Sequence, residues 1–213
     1  MNAARRPTLV AVLALALSAP GCALFTKSNP VLLRYFTPET LATTSPAPGA
    51  PMAMHPADLD LRLGRVNAAS YLKDRIAFRG EGFELGYYED LRWTEKPEAY
   101  LRRALRRSFF EEYGVHQIVS GPGPTLEVDL DAFEELRSPR HAARLQVTWA
   151  LSDDAQVETQ ETLTLERPIT SGASGPGEPG PMAAAMAAVF DDAVRQVVAR
   201  VMAALVKESG GKG

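Results

Sequence analysis

A single cysteine, Cys22, stands in the 213 residues, so no internal disulfide can staple this chain. The three histidines, His55, His116 and His141, are scattered and never take the HExxH spacing of a zinc site. No GxSxG elbow frames a nucleophile. No lysine follows Gly121-Pro122-Gly123-Pro124 at the spacing that a phosphate-cradling loop requires. The sequence therefore makes no positive case for an enzyme, and no cofactor is expected. An excess of positive charge is missing too: 23 Lys and Arg against 26 Asp and Glu give a formal net charge of -3. Nucleic-acid binding depends on neutralising phosphates, so nucleic acid is not an expected partner. Beyond residue 21 no apolar run is long enough to cross a bilayer as a helix.

What is present begins with a leader. Arg5 and Arg6 precede the apolar run Leu9 to Leu17, which is too short for a stable span and is followed by small residues. Residues 1–21 read as a secretory signal. Ser18-Ala19-Pro20-Gly21-Cys22 resembles a bacterial lipobox, with Ala19 where Leu is usual and an uncommon Pro20. The resemblance implies that Cys22 becomes the first residue, its sulfur carrying diacylglycerol and its amine a palmitate-type chain. The plain alternative is an ordinary secretory signal beside an incidental cysteine. Losing Arg5 and Arg6 with the signal leaves 21 basic side chains against 26 acidic ones, a formal charge of -5. Each buried methylene of an acyl chain contributes roughly 0.8 kcal/mol, so two or three chains hold a protein on a membrane without a span. Ala23, rather than Asp, follows the cysteine; by analogy with enterobacterial sorting this favours the outer membrane over the inner one, on the periplasmic side. Residues 22–30 would be the lipidated tether.

The body of the chain, 46% hydrophobic and 8% aromatic overall, can fill one sizeable core. Asn29 to Phe36 reads as a first strand, and the Pro-, Ala- and Thr-rich stretch 37–56 as a flexible loop in which His55 is solvated. Leu59, Leu61 and Leu63 alternate with Asp60, Arg62 and Gly64, the pattern of a half-buried strand. After an irregular piece at Asn67 to Asp74, Ile76 and Phe78 lead through the three-residue loop Gly80-Glu81-Gly82 into Phe83, Leu85 and Tyr87, which predicts a hairpin. Pro97 suits a first helical position and Glu98 the positive end of a helix dipole. Leu101, Ala104, Leu105, Ser108 and Phe109 share one side of the helix that follows, Pro97 to Tyr113, and Gly114 suits its C-terminal cap. Val115 to Val119 is expected to be a short strand.

Three alternating runs come next. Leu126, Val128 and Leu130 alternate with acidic residues, then Ala143 to Leu151 and Val157 to Leu165 keep the same period, which predicts an antiparallel meander. Glu127, Asp129, Asp131, Glu134 and Glu135 form an acidic cluster whose first three members share a face, open to a weak calcium or magnesium contact; they lack the pattern of a calcium loop and its glycine, and read as a solvated face. Residues 170–181 are a second flexible loop by composition. Met182 to Val206 carries Met186, Val189, Phe190, Val194, Val197, Val198, Val201, Met202 and Leu205 at helical spacing, an apolar stripe suited to covering the sheet. Residues 209–213 form a disordered tail. The expected fold is therefore α/β: a single-domain sandwich with one mixed sheet, an antiparallel meander and two main helices.

The order of Leu63 to Val66, Tyr71-Leu72, Ile76, Tyr87-Tyr88-Glu89 and Arg92-Trp93 before a long helix resembles the ABC-type transport auxiliary lipoproteins of the PqiC/YmbA-like kind. The resemblance covers Val31 to about Leu205, and implies one domain over 31–208 with a fold similar to the N-terminal domain of TolB. It also implies work beside an MCE-type substrate-binding protein, an ABC permease and an ATPase, moving lipids or other hydrophobic molecules across the envelope. A structural envelope adaptor without a transport role would use the same fold and anchor, and a direct lipid carrier would need an acyl-chain cavity. Self-association into a homo-oligomer is left open.

Candidate partner-binding residues are Tyr87, Tyr88 and Trp93, because Tyr and Trp pair a large apolar area with a polar handle. They could equally pack the first helix onto the sheet, with at most one of the two tyrosines inward. Arg102 and Arg106 belong to a basic strip with Arg103 and Arg107, open either to an acidic partner or anionic headgroups, or to solvent and nearby glutamates.

Overall fold

The longest alternating run builds the middle of the sheet. In the computed structural model, which describes residues 31–39, 59–82, 84–153, 156–170 and 179–211, strand β6 (Thr125–Leu136) pairs along its whole length with β7 (Ala142–Ser152), antiparallel. The signal, Cys22 and its tether, His55, and most of the loops 37–56 and 170–181 lie outside the described residues. Leu126, Val128 and Leu130 of β6 are buried on the core side, yet further along the core position passes to Phe133 and Glu135. The cause is a bulge: Leu130 faces Val147 but Ala132 faces Gln146, so Asp131 is an extra residue that shifts the pleat by one. This extends the strand well beyond the period visible in the sequence.

The other edge of β6 is shared. Strand β2 (Asp60–Ala68) lies parallel to its first half, and β3 (Arg75–Arg79) parallel to its last residues, with Ala77 opposite Glu134. Strand β4 (Leu85–Trp93) runs antiparallel to β3, and β1 (Arg34–Phe36) adds parallel to β4. Strand β5 (His116–Gln117) pairs parallel with β2 on the edge away from β6, while β8 (Val157–Pro168) pairs with β7 and completes the expected meander. The result is one eight-stranded mixed sheet.

Helix α1 (Pro97–Arg106) starts with Pro97 in its first turn and buries Tyr100, Leu101, Ala104 and Leu105. It continues as a π-helical turn, Arg107–Glu112, that keeps Phe109 buried, and Gly114 ends it with φ +68°, a conformation that favours glycine. Helix α2 (Gly180–Gly211) buries Met186, Val189, Phe190, Val194, Val197, Val198, Val201 and Leu205. Both helices pack on the same face, touching each other and the sheet. Phe190 of α2 lies 6.0 Å from Phe133, ring to ring, so helix and bulged strand meet through aromatics.

Several expected boundaries change. The first strand begins at Arg34, because the ladder with β4 starts there. Strand β2 reaches Ala68, and the hairpin closes where Arg79 pairs with Leu85 and the Gly80 amide donates to the Glu84 carbonyl. The strand expected at Val115 to Val119 narrows to the two residues that meet Asp60 and Leu61. Helix α2 takes in Gly180 and Pro181 at one end and Ser209 to Gly211 at the other, which corrects both the loop 170–181 and the tail 209–213.

Candidate functional site

Where β3, β4 and β6 meet, two adjacent carboxylates are driven to opposite sides of the sheet. Glu134 is 0% exposed, on the face away from the helices. Arg79 donates to it twice, at 2.8 and 3.1 Å, Arg144 stands at 3.5 Å, and the Tyr71 hydroxyl lies 3.1 Å away. A buried charge persists only when it is paired in this way. The hydrogen bond to Glu134 raises the pKa of Arg79 against the opposing effect of burial. Burial, then the negative charge of Glu134, pushes the Tyr71 hydroxyl upward.

Glu135, 3% exposed, faces the helix side. It accepts from the Tyr88 hydroxyl at 2.5 Å and from Arg137 at 3.2 Å, and it meets His141 Nε2 at 2.6 Å. The Arg137 guanidinium sits 3.4 Å from the centre of the Phe78 ring and 4.9 Å from that of Tyr88, so stacking fixes it from above. Burial and the bond to Glu135 raise the Tyr88 pKa. This layer walls a cleft of about 420 Å³ whose other residues include Arg34, Asp90, Leu91, Ile169 and Met182. A second cleft, of about 500 Å³, lies between α1 and α2 and has the charged rim Glu39, Arg107, Glu112, Asp191 and Arg195 around Ala104 and Val194. Among the described residues no group of three or more His, Cys, Asp or Glu is placed to hold a metal ion. Among them, too, no helix is long and apolar enough to cross a membrane.

The residues singled out from the sequence do not converge. Tyr87 and Tyr88 are half-buried on opposite faces, as alternation requires: the Tyr87 hydroxyl donates to the Tyr71 carbonyl at 3.0 Å, whereas Tyr88 belongs to the Glu135 layer. Between Tyr88 and Leu91 the register of β4 slips, and the Tyr88 carbonyl accepts instead from Arg75 and Arg92. Trp93 is corrected. It is 2% exposed and stacks on Phe133, centroids 5.0 Å apart, so it packs the core and presents no surface to a partner. Arg102 is exposed and donates to the Gly64 carbonyl at 2.9 Å; Arg106 is exposed on the same helix. Neither arginine is joined to the tyrosines of β4 by a hydrogen bond or a cation–π contact.

Glu127, Asp129 and Asp131 pair separately, with Arg65, Asn67 and Thr148. Sequence reasoning missed the Glu134 and Glu135 layers and their partners Tyr71, Arg79, Arg137 and His141. The available signal was Phe133-Glu134-Glu135-Leu136 inside an extended run, where alternation must turn one glutamate inward.

A single mixed sheet backed by two helices, with buried carboxylates matched by fixed arginines and tyrosines, defines a one-domain α/β scaffold. The chain belongs to the family of ABC-type transport auxiliary lipoprotein components, whose family model matches residues 40–202. Among solved structures it is similar to protein XCC0632 from Xanthomonas campestris, of the DUF330 family, at 22% identity over 72% of this chain and 89% of that one, with a TM-score of 0.63. An uncharacterized protein is similar at 15% identity over 67% and 92% of the two chains, TM-score 0.55. A minor lipoprotein from Acinetobacter baumannii aligns at 16% identity over 68% and 90%, TM-score 0.42. The likeness to the first two concerns the fold alone. No curated protein matches the chain significantly.

Proposed function

We propose that the protein is a lipid-anchored, periplasmic accessory component of an ABC transport system of the MCE type, which moves lipids or other hydrophobic molecules across the envelope. One observation carries the reading: the match to the auxiliary lipoprotein family runs through nearly the whole folded body, residues 40–202. The anchor is Cys22, with the outer membrane as its site and the diacylglyceryl and palmitoyl chains as its hold. Among the described residues no phosphate-binding Walker pattern occurs, so ATP hydrolysis belongs to a partner ATPase and translocation to a permease.

The folded body is a docking module. Tethering it at one membrane raises its effective concentration for a substrate-binding protein, without any new contact. The exposed parts of Tyr87, Tyr88, Arg102 and Arg106 are its candidate contacts. The charged rims of both clefts favour a surface for proteins over a tunnel for acyl chains.

The test is fractionation with capture. Wild-type protein is expected in the membrane fraction, carrying acylated Cys22 by mass spectrometry and retaining transporter subunits on affinity capture. Cys22→Ala is expected in the soluble periplasm. A bare Cys22 thiol in exported wild-type protein would contradict the anchor, and capture of outer-membrane assembly proteins alone would favour the structural adaptor instead.

A further inference from the structure

Among the described residues, four of the eight large apolar side chains that remain exposed fall in five consecutive positions: Val31, Leu32, Leu33 and Tyr35. Leu32 is 82% exposed and Tyr35 59%. They lie on or just before β1, which among the described strands is an edge held by β4 alone. Leu32 and Leu33 are neighbours in the chain and both are exposed, so the patch is not one face of an amphipathic element. Exposed apolar residues on a sheet edge invite association unless something covers them.

The position in the chain selects the cover. Leu32 follows Cys22 by ten residues. Ten residues extend to roughly 36 Å at most. On the reading that Cys22 is acylated, on which this inference rests, the patch is therefore the part of the described fold that the anchor holds nearest to the bilayer along the chain. A protein seated on one side would leave part of such a set in water, whereas the interfacial zone of a membrane surrounds an edge. A tyrosine suits that zone, with its ring among acyl chains and its hydroxyl among headgroups.

Charge is not the attraction here. Arg34 is paired with Asp90 at 3.1 Å, Arg92 with Asp74 at 3.6 Å, and Arg137 with Glu135 at 3.2 Å. We infer that Leu32, Leu33 and Tyr35 form a membrane-seating patch that inserts into a phospholipid surface and turns the β1 edge of the sheet toward the bilayer. The contact is apolar and needs neither anionic lipid nor low salt.

The full, lipidated chain carrying Leu32→Cys, labelled at that thiol with a polarity-sensitive fluorophore, is reconstituted into phosphatidylcholine vesicles. Val157→Cys, on the exposed start of the far strand β8, is the control. Vesicle flotation is read on the same samples. The label at 32 is expected to shift to the blue and lose more than half its emission when the acyl chains are brominated, equally in low and high salt. The label at 157 is expected to report water. If the protein floats but both labels report water, the seating is wrong while the anchor stands. If the protein does not float, the anchor is wrong and the seating falls with it. A blue shift without quenching by brominated lipid would place a protein surface, such as a second copy, over the patch and overturn the inference.

Discussion

Glu134 concentrates the energetics of single residues. Its side chain is removed from water and satisfied by Arg79, Arg144 and Tyr71, so truncation leaves two guanidinium groups without their carboxylate, while the Tyr71 hydroxyl keeps the Asp131 carbonyl at 3.1 Å. Glu134→Ala is expected to lower stability by about 3–5 kcal/mol, the range for breaking a buried ion pair from one side; urea denaturation gives the value. Trp93→Ala is expected to lose a similar amount, about 3–5 kcal/mol, because a buried ring stacked on Phe133 leaves a cavity. Loss of partner binding in that variant would therefore report unfolding.

Tyr71 supplies a pH dependence. The fold raises its pKa, so it favours the protonated hydroxyl, and the stability this contributes is complete below the ordinary tyrosine value of about 10. It is lost as pH rises through the folded value. Denaturation midpoints are expected to fall above about pH 10, and to fall less steeply in Tyr71→Phe. Equal slopes in the two proteins would show that Tyr71 does not titrate with unfolding.

At the scale of elements, Gly86 shows how β3 and β4 fit. A Cβ at Gly86 would fall inside the van der Waals surface of the Phe78 ring, over which the Arg137 guanidinium is stacked. Gly86→Ala is expected to destabilise by about 1–3 kcal/mol through overpacking, and Phe78→Leu in the same chain to recover part of the loss in a thermal or urea midpoint. Full additivity of the two changes would argue against the contact.

The same elements mark how far the sequence could be read. Period-two runs predicted the meander, and three- and four-residue steps predicted both helices, because each element has one wet side and one dry side. The second half of β6 was not legible: the bulge at Asp131 breaks the period, and the buried Glu134 and Glu135 read as surface residues. Trp93 was ambiguous for a different reason, since an aromatic residue suits a core and an interface equally well. Its partner Phe133 lies 40 positions away, a pairing that the β3–β4 and β3–β6 ladders create together. The parallel insertion of β2 and β3 along one edge of β6 likewise depends on contacts far apart in the chain.

For the molecule as a whole, the folded body carries many internally paired charges and its proposed anchor is Cys22, outside that body. Releasing the anchor should alter where the protein resides without altering its fold. Cys22→Ala is expected to keep the wild-type denaturation midpoint while moving from membrane to soluble fraction; a lowered midpoint would mean that the amino-terminal segment also stabilises the body.

Partner identity decides whether the protein serves transport. Capture of the full-length, lipidated protein after mild crosslinking in intact cells, followed by mass spectrometry, tests it most directly. Peptides from an MCE-type substrate-binding protein together with its ABC permease or ATPase are expected. Recovery of the anchored protein with no transporter subunit would contradict a transport role.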